Sequence, residues 1–200
     1  MKHIIIEGCD RTSKSTLVEG LCKHYKFDNI ITRHFSKPPK NYDRNFPLDW
    51  QMSSFVQEFL LLNQIKENEE QEFRYYENKI IWNRSPLGEI VWSPLYRKGN
   101  IEEIKRLLSY YENQFLNDKY LKNTYLVYLY ADAEFLNNIE DGNSFSNTVE
   151  QKQKELDAFE EAIEFSIIPN KLKLKVCDEN QHFYTKQYVL DQVLIFINKT

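Results

Sequence analysis

Glycine, cysteine and methionine are scarce in these 200 residues, with five, three and two copies, and proline adds six. So few glycines and prolines leave no flexible linker or low-complexity tract. Cys9, Cys22 and Cys177 stand far apart and no pair has C-x-x-C spacing, which excludes a zinc ribbon or a dithiol redox pair. Reduced thiols in a cytoplasmic protein are the expectation. Long apolar runs are missing too. Ile4 to Ile6 and Leu60 to Leu62 fall far short of the roughly 20 residues a membrane span needs, and the opening MKHIIIEG is too short for a signal core. Nor is there an excess of positive charge. Twenty-six Lys and Arg against thirty Asp and Glu give a net −4, so nothing attracts a nucleic-acid backbone or an anionic membrane globally. A soluble protein with small-molecule partners is what remains.

What is present is a core. Hydrophobic residues make up 42% and aromatics 14%, and a chain of this length buries enough surface to fold without staples. Short β-branched or apolar runs at Ile4–Ile6, Ile30–Phe35, Lys79–Asn83, Thr124–Ala131 and Leu172–Cys177 read as strands. Between them, helical spacing covers Ser15–Phe27, Gln51–Glu77, Ile101–Leu116, Asp132–Ile139, Thr148–Phe165 and Lys186–Ile197. Strands alternating with helices predict an α/β domain over residues 1–200, a five-stranded parallel sheet with helices on both faces.

Gly8-Cys9-Asp10-Arg11-Thr12-Ser13-Lys14-Ser15 matches G-x-x-x-x-G-K-[ST] except at Ser13, where the second glycine belongs. A buried strand precedes it and a helix follows, the setting in which backbone N–H groups and a helix N-terminus cradle phosphates. In this pattern Lys14 reaches the β- and γ-phosphates of ATP and the Ser15 hydroxyl ligates Mg²⁺. The bland alternative, a strand-turn-helix with a chance Lys-Ser, leaves the setting unexplained.

Ile6-Glu7-Gly8-Cys9-Asp10-Arg11-Thr12-Ser13-Lys14-Ser15-Thr16 resembles the E-G-x-D-R-x-G-K-S-T opening of thymidylate kinases. The resemblance implies a three-layer P-loop kinase fold with a small lid, ATP and Mg²⁺ as cofactors, and a homodimer. It implies that Asp10 meets the acceptor's deoxyribose 3′-hydroxyl and that Arg11 reaches the transferring phosphate. The lid, about residues 135–151, contains no lysine or arginine, so the chain is similar to members that carry the arginine in the loop. Gly142 to Asn147 is the part of that lid expected to move.

Trp82 to Arg97 resembles a D-R-x-x-L-G-E-x-V-Y-x-P-x-Y-R stretch of phage-encoded kinases of this superfamily. By that likeness Arg84 holds the acceptor's α-phosphate, where a planar guanidinium suits a dianion. Glu89 and Arg97 either line the acceptor pocket or decorate a helix. Asn83 departs from the aspartate of the family; an amide keeps the shape but loses the charge that orients metal-bound water, and Asp10 or Glu7 is left to compensate. A second phosphate-binding cation is expected from Arg33, Lys37 or Arg44. Phe55 and Phe59 are candidate base stackers, with Asn63 and Gln64 as readers of the base edge. Asn137, Asn138 and Asp141 stand where the family has adenine-stacking arginines, so adenine must be held elsewhere.

The expected reaction is transfer of the γ-phosphoryl group of ATP to a deoxynucleoside monophosphate, dTMP or a related pyrimidine, in the cytoplasm (the host's, for a phage protein). Two rivals remain. One moves the acceptor to a nucleoside or polynucleotide 5′-hydroxyl, which needs a carboxylate base such as Glu89. The other is a nucleotide-binding protein impaired in catalysis by Ser13 and Asn83.

Overall fold

The computed structural model describes residues 2–35, 78–115 and 118–199, together with the helical residues 53–58, 60, 61, 63–65 and 67. Five strands, β1 (Lys2–Glu7), β2 (Asn29–His34), β3 (Asn78–Asn83), β4 (Thr124–Tyr130) and β5 (Asn170–Lys175), form one sheet in the order β2-β3-β1-β4-β5. Every pairing is parallel. The helices are α1 (Lys14–His24), α2 (Glu89–Tyr96), α3 (Ile101–Phe115), α4 (Asp118–Leu121), α5 (Ala133–Asn138), α6 (Val149–Phe165) and α7 (Lys186–Lys199), with a 3₁₀ turn at Pro86–Gly88. Helices pack on both faces, α1 with α7 and α2 with α6, as a parallel sheet demands. None of the described helices is long and apolar enough to cross a membrane.

The middles of the central strands are apolar because both faces are covered. Ile4, Ile6, Ile80, Ile81, Leu126, Val127 and Leu129 are wholly inaccessible, and trimming any one to alanine costs about 2–5 kcal/mol. The edge strand β5 instead alternates Lys171, Lys173 and Lys175 with Leu172 and Leu174. The lysines bond the Ser166 carbonyl, Glu160 and Asp132, which charges and covers that edge.

One boundary moves. The sequence places the fifth strand at Leu172–Cys177, whereas pairing with β4 runs from Asn170 to Lys175. Val176 still donates its N–H to the Tyr130 carbonyl of β4, but its carbonyl accepts from Tyr184 and Cys177 bridges antiparallel to Phe183 across a turn built on Asp178. Apolar alternation reports extension, not which neighbour takes the hydrogen bonds.

Candidate active site

The carboxyl ends of β1 and β3 lie side by side, with Ile6 in register with Asn83 and the Arg84 N–H donating to the Ile6 carbonyl at 3.0 Å. Two segments more than seventy residues apart therefore meet where ligands bind in open α/β sheets.

The loop after β1 is shaped by three unusual backbone conformations. Gly8 has φ 145°, and a Cβ there would stand 2.1 Å from the Leu129 carbonyl oxygen. Arg11 (φ 71°) and Ser13 (φ 61°, ψ 25°) are left-handed, which turns successive N–H groups to one side as in anion-binding nests. Ser13 caps α1 without any side-chain bond to it, so its hydroxyl brings nothing to offset the left-handed strain. Thr12 is buried, its hydroxyl donating to the Cys9 carbonyl at 2.9 Å. Lys14 is buried as well, its ammonium donating to the carbonyls of Gly8 (2.9 Å) and Cys9 (2.5 Å). Burial first, then the Arg84 guanidinium, lower its pKa to about 8. Cys9 is buried and its thiol pushed up by desolvation, so thiolate chemistry is suppressed in the loop.

Beside this loop, the Asn83 amide nitrogen donates to the Ser15 hydroxyl at 3.0 Å. Arg84, left-handed at φ 69°, forms an ion pair with Asp10 and lies 5.5 Å above the Trp92 ring. Glu7 is fully buried. One of its oxygens accepts from the Ser85 N–H (2.6 Å) and hydroxyl (2.7 Å), while Oε2 finds no partner among the described residues. Desolvation raises the Glu7 pKa to about 7. His34 ends β2 opposite Asn83, its pKa lowered by burial and then by Arg84.

Behind these groups runs α2. Arg97 donates to both oxygens of the buried Glu89 at 2.7 and 2.6 Å, so these two residues close on each other across the helix. That partnership withdraws Glu89 as a free carboxylate base. Trp92, Tyr96 and Phe145 form a stacked series, Trp92 to Tyr96 at 6.1 Å and Tyr96 to Phe145 at 5.0 Å. Phe145 lies in the segment between α5 and α6, where the lid is expected. The same segment sends Asp141 to Arg11 in an ion pair. Residues 135–151 lack a basic side chain, but Lys152 turns into the lid from the first turn of α6, meeting Glu140 at 2.6 Å and the Ser146 carbonyl at 2.9 Å. Glu155, one turn on, accepts from the Tyr96 hydroxyl at 2.5 Å.

The remaining predicted residues divide. Thr16 and Ser13 line a cleft with Leu17, Val176, Phe183 and Tyr184 on the far side of α1's first turn. Arg33 lies on the outer edge strand and pairs with Glu58 at 2.7 Å, on the face that packs against the helical residues 53–58. Phe55 is core, edge-on to Phe35 and Tyr111. Asn63 is half-buried and Gln64 exposed, whereas Phe59, Lys37 and Arg44 lie outside the described residues. Asp141, Phe145, Tyr96 and Glu155 were not picked out from the sequence as site residues. Phe145 and Asp141 sit in an irregular polar stretch whose only signal is one aromatic among Asn, Ser and Gly.

No family model matches the sequence, and no curated protein matches it. Among solved structures, thymidylate kinase of Candida albicans superposes with a TM-score of 0.62 at 14% identity, over 99% of this chain and 91% of the other. The fold is that of thymidylate kinases. The thymidylate kinase of Ehrlichia chaffeensis agrees, with TM-score 0.62, 15% identity and 97% of each chain covered. So does YorR of Bacillus subtilis, solved with phosphorylated GDP, with TM-score 0.63, 16% identity, 98% of this chain and 96% of that one. The three superpositions cover 97–99% of this chain at 14–16% identity.

Proposed function

We propose that the protein is a nucleoside monophosphate kinase, moving the γ-phosphoryl group of ATP to the phosphate of a deoxynucleoside monophosphate, dTMP or a related pyrimidine. The observation that carries this reading is the meeting of three cationic side chains from two separate segments. Lys14 and Arg11 belong to the anion-binding loop, and Arg84 stands beside them on the neighbouring strand, paired with Asp10. In-line phosphoryl transfer asks for little else: a donor held by the loop, an acceptor phosphate held by a guanidinium, and positive charge on the oxygens between. The acceptor phosphate is already anionic, so no base is required.

In this reading Lys14 leaves the loop carbonyls for the β- and γ-phosphates, and Arg11 leaves Asp141 for the transferring group. The donor's base would lie against the surface beside α1's first turn, where Thr16, Phe183 and Tyr184 come together around a cleft of about 20 Å³ and Tyr184 offers an aromatic ring. Among the described residues no group of three or more His, Cys, Asp or Glu side chains could hold a metal by itself. Ser15 Oγ with Asn83 alongside nonetheless fits Mg²⁺, which takes one or two protein oxygens and completes its shell with phosphate oxygens and water. Mg²⁺ would supply neutralisation of charge on the bridging oxygens.

Glu7 favours a second reading, in which the acceptor is a 5′-hydroxyl. Its unpartnered buried oxygen and pKa near 7 suit a proton acceptor next to Arg84. ADP release measured with dTMP, thymidine and a 5′-hydroxyl oligonucleotide separates the two. Turnover with dTMP alone supports the first reading; turnover confined to the hydroxyl substrates replaces it with the second.

A further inference from the structure

The lid reaches both guanidiniums of the site, one directly and one through a relay. Asp141 pairs with Arg11. Phe145, four residues on, lies nearly parallel to Tyr96 (18°, 5.0 Å), Tyr96 stacks on Trp92 (29°, 6.1 Å), and the Arg84 guanidinium lies over Trp92 at 5.5 Å. The relay is fixed at its middle, because the Tyr96 hydroxyl is tied to Glu155 of α6 at 2.5 Å. It is fixed beside the lid by Lys152, which holds Glu140 and Ser146 on either side of the segment carrying Phe145. Trp92 itself has no hydrogen bond to hold it: its indole nitrogen is buried and unpartnered among the described residues. The Trp92 ring is thus kept in place by packing alone, against Phe159 at its edge and Tyr96 and Phe145 along the stack.

We infer that Phe145 is a positioning residue for Arg84: seated on Tyr96, it sets the Trp92 ring on which the guanidinium rests, so that lid closure and the aim of Arg84 are one event. The inference builds on the kinase reading above and gives the lid a role on the acceptor side. Phe145 remains 44% exposed, which leaves its outer edge in solvent and makes its removal compatible with folding. An open lid withdraws the outermost ring, and the relay then loses one aromatic contact of the kind that orients planar groups.

The test compares wild type with Phe145→Ala and Phe145→Tyr, the second keeping the ring. For Phe145→Ala we expect the KM for dTMP to rise about three- to tenfold, the equivalent of one lost aromatic pair, with the KM for ATP unmoved. ATP hydrolysis without acceptor should rise relative to transfer, and Phe145→Tyr should restore both. Amide hydrogen exchange of ligand-free protein gives an independent readout: the segment from Arg84 to Arg97 should exchange faster in Phe145→Ala and return to wild-type protection in Phe145→Tyr. Unchanged exchange there overturns the inference, as does an equal shift in both KM values. Should wild type transfer phosphate to no deoxynucleoside monophosphate, the kinase reading fails, and the exchange comparison still decides whether Phe145 holds the relay.

Discussion

Ser13→Gly puts the shape of the phosphate loop to a quantitative test. Ser13 is held at φ 61°, ψ 25°, and its side chain makes no bond to the helix it caps. A left-handed residue with a Cβ costs about 1–2 kcal/mol. Glycine removes that cost but gives the unfolded chain more freedom, worth about 0.5–1 kcal/mol in the other direction. The left-handed term is the larger, so the variant should gain about 0.5–1 kcal/mol. For a chain of this length that is a rise in Tm of about 1–4 °C. Thermal unfolding by circular dichroism, with and without Mg·ADP, reads it directly. The nucleotide-induced increment should be equal or larger in the variant, because the loop's N–H groups converge whether residue 13 is strained or not. A Tm at or below wild type would refute the claim that this position is left-handed at a cost.

Four further outcomes follow from the same geometry. Glu7, raised to about 7, is protonated more readily in the fold than in the unfolded chain; its contribution is complete below its unfolded value and is lost as pH rises through about 7. Stability should therefore fall by up to about 3 kcal/mol from this group between pH 5 and 7.5, and Glu7→Gln should flatten that slope in urea titrations, leaving the contributions of the raised Glu112 and Glu155 and the opposing one of the lowered His34. Arg11→Ala should lower kcat about 10³-fold while calorimetric ADP affinity stays within a fewfold, and equal losses in both would deny Arg11 a role confined to transfer. Asp141→Asn frees Arg11 from a half-exposed pair worth about 0.2–1 kcal/mol, so ATP should bind no more than about fivefold tighter, and weaker binding would contradict a competing carboxylate. The double variant Ser13→Gly with Asn83→Asp should speed an already active enzyme; if wild type is silent and only the double variant turns over, the chain is a catalytically impaired nucleotide binder.

Much of the local geometry of the candidate site is legible in the sequence. Gly8, Lys14, Ser15 and the flanking strand and helix are local, and local backbone geometry is what a sequence motif encodes. Even the missing glycine at position 13 has a structural meaning, because the position is left-handed with serine in it. Glu89 and Arg97 show where local reading stops. Eight residues apart around a short helix, they were equally compatible with a pocket and a surface until the fold buried them against each other. Arg33 carries the charge expected of a phosphate ligand, but Glu58 stands opposite on a helix whose position periodicity alone does not set.

The sequence by itself determined the alternation of strands and helices and the turn from β1 into α1, because each depends on neighbours a few residues away. Only the tertiary structure decided that β3 lies beside β1, which brings Arg84 to Asp10 and leaves Glu7 Oε2 buried with no partner among the described residues. It also decided that Asp141 pairs with Arg11 and that Phe145 stacks on Tyr96, beside the Trp92 ring under Arg84. Strand order and lid placement are set by which buried faces fit together, a long-range packing condition that no spacing along the chain records.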